Sequence, residues 1–292
     1  MSTQNRSILT SSGHDLQVLE AGNPDGIPVL MHHGTPGSDL LYQEWIEDAE
    51  DKGIRLISYN RPGYGVSTTH PGRNVASAAG DVSAIAQALE IKRLLIWGAS
   101  GGGPQALACA ALLPDLVPAV AVMASPAPYP ADGLDWFAGI SEFDAPAFRA
   151  ALEGRDAVAS LIEGEVSGLL DLDHEGLIEV IRSLASPVDA TAFTEDIARF
   201  TIDMLREGIL DSRDGWIDDC IAFVSPWGFE LSQIQVPVML MHGEQDHFVS
   251  SSHGQWIARQ ISQIDARFLA EDGHVTVGFR IPEIHTWLLS KM

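Results

Sequence analysis

The residue of this 292-residue chain best suited to covalent chemistry is a serine among glycines, in Gly98-Ala99-Ser100-Gly101-Gly102. Before it, Arg93-Leu94-Leu95-Ile96-Trp97 is a short apolar run of the kind that forms a strand buried on both faces. After it, residues 104–113 are rich in helix formers and are stopped by Pro114. A turn this sharp between strand and helix needs small neighbours, since side chains would collide with the closely packed backbone. With 27 glycines in the chain the pattern alone is a weak signal, so its surroundings must carry the argument.

A serine hydroxyl becomes a good nucleophile only when an imidazole takes its proton, and a carboxylate must then fix the imidazole tautomer. The chain has ten histidines, of which His274, in Glu271-Asp272-Gly273-His274, lies in a loop directly after the apolar run Phe268-Leu269-Ala270. His253 falls near the start of a helix and His285 within a C-terminal amphipathic one, while His14, His70 and His174 stand in polar, surface-like contexts. The expected acid is Asp246, which follows Met239-Leu240-Met241-His242-Gly243; Glu244, Asp272 and Asp219 are its rivals. Attack on a carbonyl also puts negative charge on oxygen, which backbone N–H groups can stabilise. Gly101 and Thr35, the latter in His33-Gly34-Thr35-Pro36-Gly37, are the expected donors; Pro36 has no N–H and biases Thr35 to an extended backbone.

These residues need a scaffold that gathers strand ends. Apolar runs at 16–20, 28–33, 54–59, 119–123, 236–242 and 266–270 read as strands. Helical patterns at 39–51, capped by Ser38 or Asp39, and at 75–89 alternate with them, which predicts a mostly parallel sheet wrapped by helices. In such a sheet, active groups collect at the C-terminal ends of strands, where Ser100, Asp246 and His274 all fall. Between about 125 and 226 no strand pattern is found, only short amphipathic helices with acidic faces. The expected organisation is a core of 1–127 and 229–292 carrying a helical cap at 128–228. Tyr129, Trp136, Phe137, Phe143, Trp216, Trp227 and Phe229 would give that cap an apolar inner surface, with Trp136, Phe137 and Trp227, together with Gly34, as the expected substrate contacts.

Composition narrows the partners. With 17 Lys and Arg against 40 Asp and Glu, the formal net charge is −23, which repels nucleic acid and anionic membranes. Two cysteines, Cys109 and Cys220, are too few for a disulfide framework, and Cys109 reads as a core thiol. No apolar signal region opens the chain, and the stretch 107–123 is broken by Pro114, Asp115 and Pro118, so a cytoplasmic protein without a membrane span is expected. A metal set built from His32, His33, His242 and Asp246 lacks any recognised ligand spacing, and neither metal nor cofactor is expected.

On these motifs the chain resembles the α/β-hydrolase superfamily, in the branch with an inserted helical cap. The likeness is carried by His33-Gly34-Thr35-Pro36-Gly37, Arg61-Pro62-Gly63-Tyr64-Gly65-Val66-Ser67, Gly98-Ala99-Ser100-Gly101-Gly102, Gly243-Glu244-Gln245-Asp246 and Gly273-His274, in the chain order Ser, Asp, His. Asn60 stands at a loop-bracing position where the superfamily often has Asp. The resemblance implies a serine hydrolase cleaving a carboxylic ester with a small to medium hydrophobic acyl group. Ser100 argues against dehalogenases and epoxide hydrolases, which use aspartate there. The alternatives are an aminopeptidase similar to proline iminopeptidases, a lactone or carbon–carbon bond hydrolase, and a non-catalytic small-ligand receptor. Proline iminopeptidases usually carry glycine where Thr35 stands and tryptophan where Gly101 stands, so that match is partial. Their amine recognition would fall to cap acids such as Glu142, Asp144, Glu163 and Glu165. The expected partner is a small ester or amide, and the expected state a monomer or homodimer.

Overall fold

The computed structural model describes residues 3–170 and 174–292. Among them an eight-stranded sheet runs in the order β1 (Gln4–Leu9), β2 (Asp15–Gly22), β4 (Ile54–Tyr59), β3 (Ile27–His32), β5 (Leu95–Ala99), β6 (Val120–Met123), β7 (Val238–Gly243), β8 (Ile264–Leu269). β2 is antiparallel to both β1 and β4, and all other pairings are parallel. The apolar runs are continuous because both faces are covered. In β5, Leu95 and Trp97 join one core cluster while Ile96 joins the other, the two-residue period of a strand buried on both sides.

Helices α1 (Gln43–Asp51) and α11 (Ile281–Leu289) supply the first cluster with Ile46, Ala49, Ile284 and Leu288. Helices α2 (Ser77–Ala88), α3 (Gly103–Leu112) and α10 (Ser251–Gln260) supply the second with Val82, Ile85, Ala106, Leu107 and Ile257. Among the described residues six α-helices lie between β6 and β7: α4 (Ala145–Glu153), α5 (Arg155–Leu170), α6 (His174–Leu184), α7 (Pro187–Ala192), α8 (Glu195–Ile209) and α9 (Asp214–Phe223). No strand of the sheet falls in that stretch among the described residues. Nor is any described helix long and apolar enough to cross a membrane.

Three local expectations change. β1 goes unannounced in the sequence because it is an edge strand of mostly polar residues with only Ile8 buried; its register is set by pairing Gln4 with Glu20 and Leu9 with Asp15. α1 starts at Gln43 rather than at 39. Ser38 and Asp39 are buried in the preceding turn, where the Asp39 N–H donates to Asn60 Oδ1 at 2.8 Å instead of opening a helix. His14 is buried rather than surface-lying, with Nε2 2.9 Å from Asp81 Oδ1.

Candidate active site

At the end of β5 the chain turns directly into a short 3-10 turn (Ser100–Gly102) and then α3. Ser100 takes φ +52°, a left-handed conformation that costs a serine on the order of 1–3 kcal/mol and is retained here at the sharpest point of the turn. Position 98 tolerates nothing bulkier than glycine, because a Cβ there would overlap the Gly102 carbonyl.

β7 and β8 deliver the other two expected residues to the same end of the sheet. His274 Nδ1 lies 2.8 Å from Asp246 Oδ2. The second oxygen of Asp246 accepts the amides of Phe248 at 2.8 Å and Val249 at 2.9 Å, so the carboxylate cannot swing away. Burial alone would push the Asp246 carboxyl up, but the neighbouring His274 imidazole and a hydrogen bond from His242 hold it below the usual carboxylate range. For His274, burial pulls the imidazole down; Asp246, reinforced by the charges of Asp189 and Asp144, outweighs that and leaves it above the ordinary value of 6.5. With Nδ1–H committed to Asp246, Nε2 of the neutral ring carries the free lone pair. The rival acids are engaged elsewhere or exposed. Asp272 pairs with Arg280 at 2.8 Å, Asp219 with two arginines, and Glu244 is exposed.

Thr35 and Gly101 are neighbours. A Cβ on Gly101 would overlap the Thr35 side chain and come within 3.1 Å of the Thr35 nitrogen. The Thr35 loop is braced by a buried charge cluster. Thr35 Oγ1 donates to Asp219 Oδ2 at 2.6 Å, and Arg61 Nη2 donates to the same oxygen at 2.6 Å, to Thr35 Oγ1 at 3.0 Å and to the Gly34 carbonyl at 2.9 Å. Tyr64 Oη adds a bond at 2.8 Å and Arg73 Nη2 an ion pair at 2.7 Å, all to this one carboxylate. Burial works against ionising Asp219, but Arg61 and Arg73 prevail and hold it well below its usual range. His33 belongs to the same brace. Its Nε2 accepts the Arg61 amide at 3.3 Å, which leaves Nδ1–H for the Gly34 carbonyl at 2.8 Å. His32 instead faces Cys109 Sγ at 3.8 Å and His242 the Val249 carbonyl at 2.8 Å. His242 and Asp246 stay together at 3.4 Å, but His32 and His33 are engaged elsewhere, and no group of three or more such ligands occurs among the described residues.

Ser100 stands between two cavities. A large one of about 350 Å³ is lined by Ser100, His274, Gly34 and Thr35 at its polar end. Its walls are apolar: Met31, Tyr42, Trp45, Trp97 and Met123 from the core, Val180, Ile181 and Leu184 from α6, Ile197, Phe200 and Met204 from α8, and Trp216 from α9. Trp45 meets Trp97 edge-on at 5.3 Å and Phe200 at 5.6 Å, so rings from both sides interlock. A recess of about 30 Å³ lies on the other side, bounded by Thr35, Ser100, Gly101, Asp144, Phe148, Phe223 and Phe248. Gly34, Phe143 and Trp216 line the large cavity. Trp136, Phe137 and Trp227 line neither cavity. Trp136 is buried with Nε1 donating to the Ala127 carbonyl at 2.7 Å, Phe137 stacks under Arg149, and Trp227 packs on Phe229. Their bulk serves to seat the helical segment on the core.

Residues 27–277 match the family described as alpha/beta hydrolase fold. The chain belongs to that family. Among curated relatives it is 27% identical to a non-heme chloroperoxidase of Streptomyces lividans, over 83% of each chain. It is 24% identical to the bifunctional esterase/perhydrolase DCH of Acinetobacter calcoaceticus, over 83% of this chain and 82% of that one. Among solved structures it superposes on a thermophilic esterase from Thermogutta terrifontis with a TM-score of 0.72 at 18% identity, over 99% of both chains.

Within this hydrolase fold the sequence reading misses two groups. One is the apolar faces of α6 and α8, which form the far wall of the cavity; nothing in a short amphipathic helix says which element its apolar face will meet. The other is Asp189. It is fully buried and accepts the amides of His274 at 2.7 Å, Val275 at 3.0 Å and Thr276 at 2.9 Å. Ser186-Pro187-Val188-Asp189 carries a helix-start signature, and Ser186 does cap α7, but that signature gives no hint of a carboxylate reaching across to another loop.

Proposed function

We propose that the protein is a serine hydrolase that cleaves carboxylic esters with a small to medium apolar acyl group, through an acyl-enzyme. The observation that carries this reading is that Ser100 and His274 border one apolar cavity while Asp246 holds the far nitrogen of His274. Ser100 Oγ attacks the ester carbonyl carbon as its proton passes to His274 Nε2. Asp246 stabilises the resulting imidazolium, and the Thr35 and Gly101 amides receive the negative oxygen. His274 then protonates the departing alcohol, and finally directs water onto the acyl-serine to regenerate the hydroxyl. A volume of about 350 Å³ suits a medium-sized apolar group. Residues 128–228 act as the cap that closes over it.

An aminopeptidase would need an ionised carboxylate facing the substrate ammonium. Of Glu142, Asp144, Glu163 and Glu165, Asp144 borders the cavities; burial pushes its carboxyl up and it already accepts the Ser141 hydroxyl at 2.7 Å, so it is poorly placed to take a substrate ammonium. Esters fit this environment better. The likeness to an esterase/perhydrolase favours one second reading, in which hydrogen peroxide replaces water at the acyl-serine and releases a peracid.

A fluorophosphonate probe and a p-nitrophenyl ester series test the proposal together. The expected results are labelling of Ser100, loss of at least about 10³-fold in kcat for Ser100→Ala, and a kcat/KM profile that falls in acid with its midpoint above 6.5, since the base must be neutral. An unlabelled Ser100 or an active Ser100→Ala overturns the reading.

A further inference from the structure

We infer that Asp189, contributed by the helical segment, is a positioning residue that holds the His274 loop in its working place, so that the base stands correctly only when α7 is seated against the core. The inference rests on the serine hydrolase reading for its kinetic consequence, but its structural part stands on contacts alone.

The carboxylate grips one loop with both oxygens. Oδ2 accepts the His274 amide and the Ser186 hydroxyl at 3.0 Å; Oδ1 accepts the amides of Val275 and Thr276 and the Thr276 hydroxyl at 3.1 Å. Three consecutive amides at the start of the 3-10 turn Thr276–Arg280 have no acceptor within that turn, so the carboxylate supplies what the local backbone lacks. Approach this close requires Gly273, since a Cβ there would overlap the Asp189 carboxylate. On the other side of the contact, Ser186 caps α7 and thereby fixes the backbone from which Asp189 projects.

Asp246 orients the ring of His274; Asp189 fixes the backbone from which that ring hangs. Asp189 also adds a fixed negative charge beside the ring, which favours the imidazolium formed during turnover. The charged and titratable groups facing His274 are Asp246 from the loop after β7, Asp189 from α7 and Asp144 before α4, with Arg206 of α8 on the wall of the same cavity.

Asp189→Asn tests the inference in the full-length protein. The asparagine keeps the size but loses the charge, and presents an N–H where an amide N–H must be accepted. Three readouts are followed: His274 titration by NMR, amide exchange at 274–276, and ester kinetics. The expected outcome is a His274 pKa lower than in the wild type, faster exchange at all three amides, and a kcat lower by about 10- to 100-fold with KM changed less than about threefold. Asp189→Glu should return the titration towards wild type while kcat stays low, because charge is restored but reach is not. Thr276→Val, which removes one donor from the core side, provides a milder variant should the first fail to fold, with faster exchange at 274 and 275 expected. Unchanged exchange and titration in a folded Asp189→Asn overturns the inference, as does a lower kcat in that variant with exchange at 274–276 as in wild type. Titration and exchange do not depend on turnover, so they separate failure of this inference from failure of the hydrolase reading, which an unlabelled Ser100 in the wild type would reveal.

Discussion

Asp219 and Asp189 both come from the helices between β6 and β7, both are fully buried, and each grips a loop beside Ser100. Their charges are held by opposite means. Asp219 lies between Arg61 and Arg73 and also takes the hydroxyls of Thr35 and Tyr64. Asp189 is met by three backbone amides and two hydroxyls. Removing Asp219 strands two guanidiniums in the interior, and neither can lose its proton to escape the cost. Removing Asp189 strands only neutral N–H and O–H groups, which a loop can satisfy by moving towards water. The first carboxylate is tied to buried cations at 61 and 73, the second to the backbone of one loop.

That contrast can be broken at several levels. The largest effect is expected from Asp219→Ala, a loss of about 3–5 kcal/mol in unfolding free energy by urea titration, against about 1–3 kcal/mol for Asp189→Ala. Equal losses would erase the distinction. Next, acid should act through Asp219. Its folded pKa lies below the ordinary 3.8, so its stabilisation is complete above that value and is lost as pH falls through the folded one. Melting temperatures of Asp219→Asn should therefore fall less steeply than wild type below about pH 4. An unchanged acid slope would assign acid sensitivity elsewhere. Smallest is the hydroxyl that ties Thr35 to the cluster. Thr35→Val should cost about 1 kcal/mol and Thr35→Ser less, read by the same urea titration, since Asp219 keeps its other partners.

Much of this arrangement is legible in residue types. The parallel sheet follows from apolar runs alternating with helical patterns, and Ser100, Asp246 and His274 are found at one end of it because each directly follows such a run. Asn60 accepts the Asp39 amide, a contact that the sequence does not announce. Asp189 escapes notice because its partners are backbone amides 85 to 87 residues away, and an amide carries no mark in the sequence. Trp136, Phe137 and Trp227 mislead for a related reason. Aromatic character says that a side chain will be buried, but not whether it meets a cavity or a neighbouring helix. The wall they were expected to form is made instead by smaller residues of α6 and α8 with Tyr42, Trp45 and Trp97 of the core.

The contact between Thr35 and Gly101 also constrains how this sequence can drift. The two positions share one volume, since any side chain at 101 would occupy the space now filled by the threonine. Proline iminopeptidases, which the motifs resemble in part, usually have the bulk on the other partner. Enlarging 101 alone produces a clash, while shrinking 35 alone leaves a void beside the nucleophile. The two positions are therefore sterically coupled, so that a larger residue at 101 demands a smaller one at 35, and this chain keeps its bulk at 35.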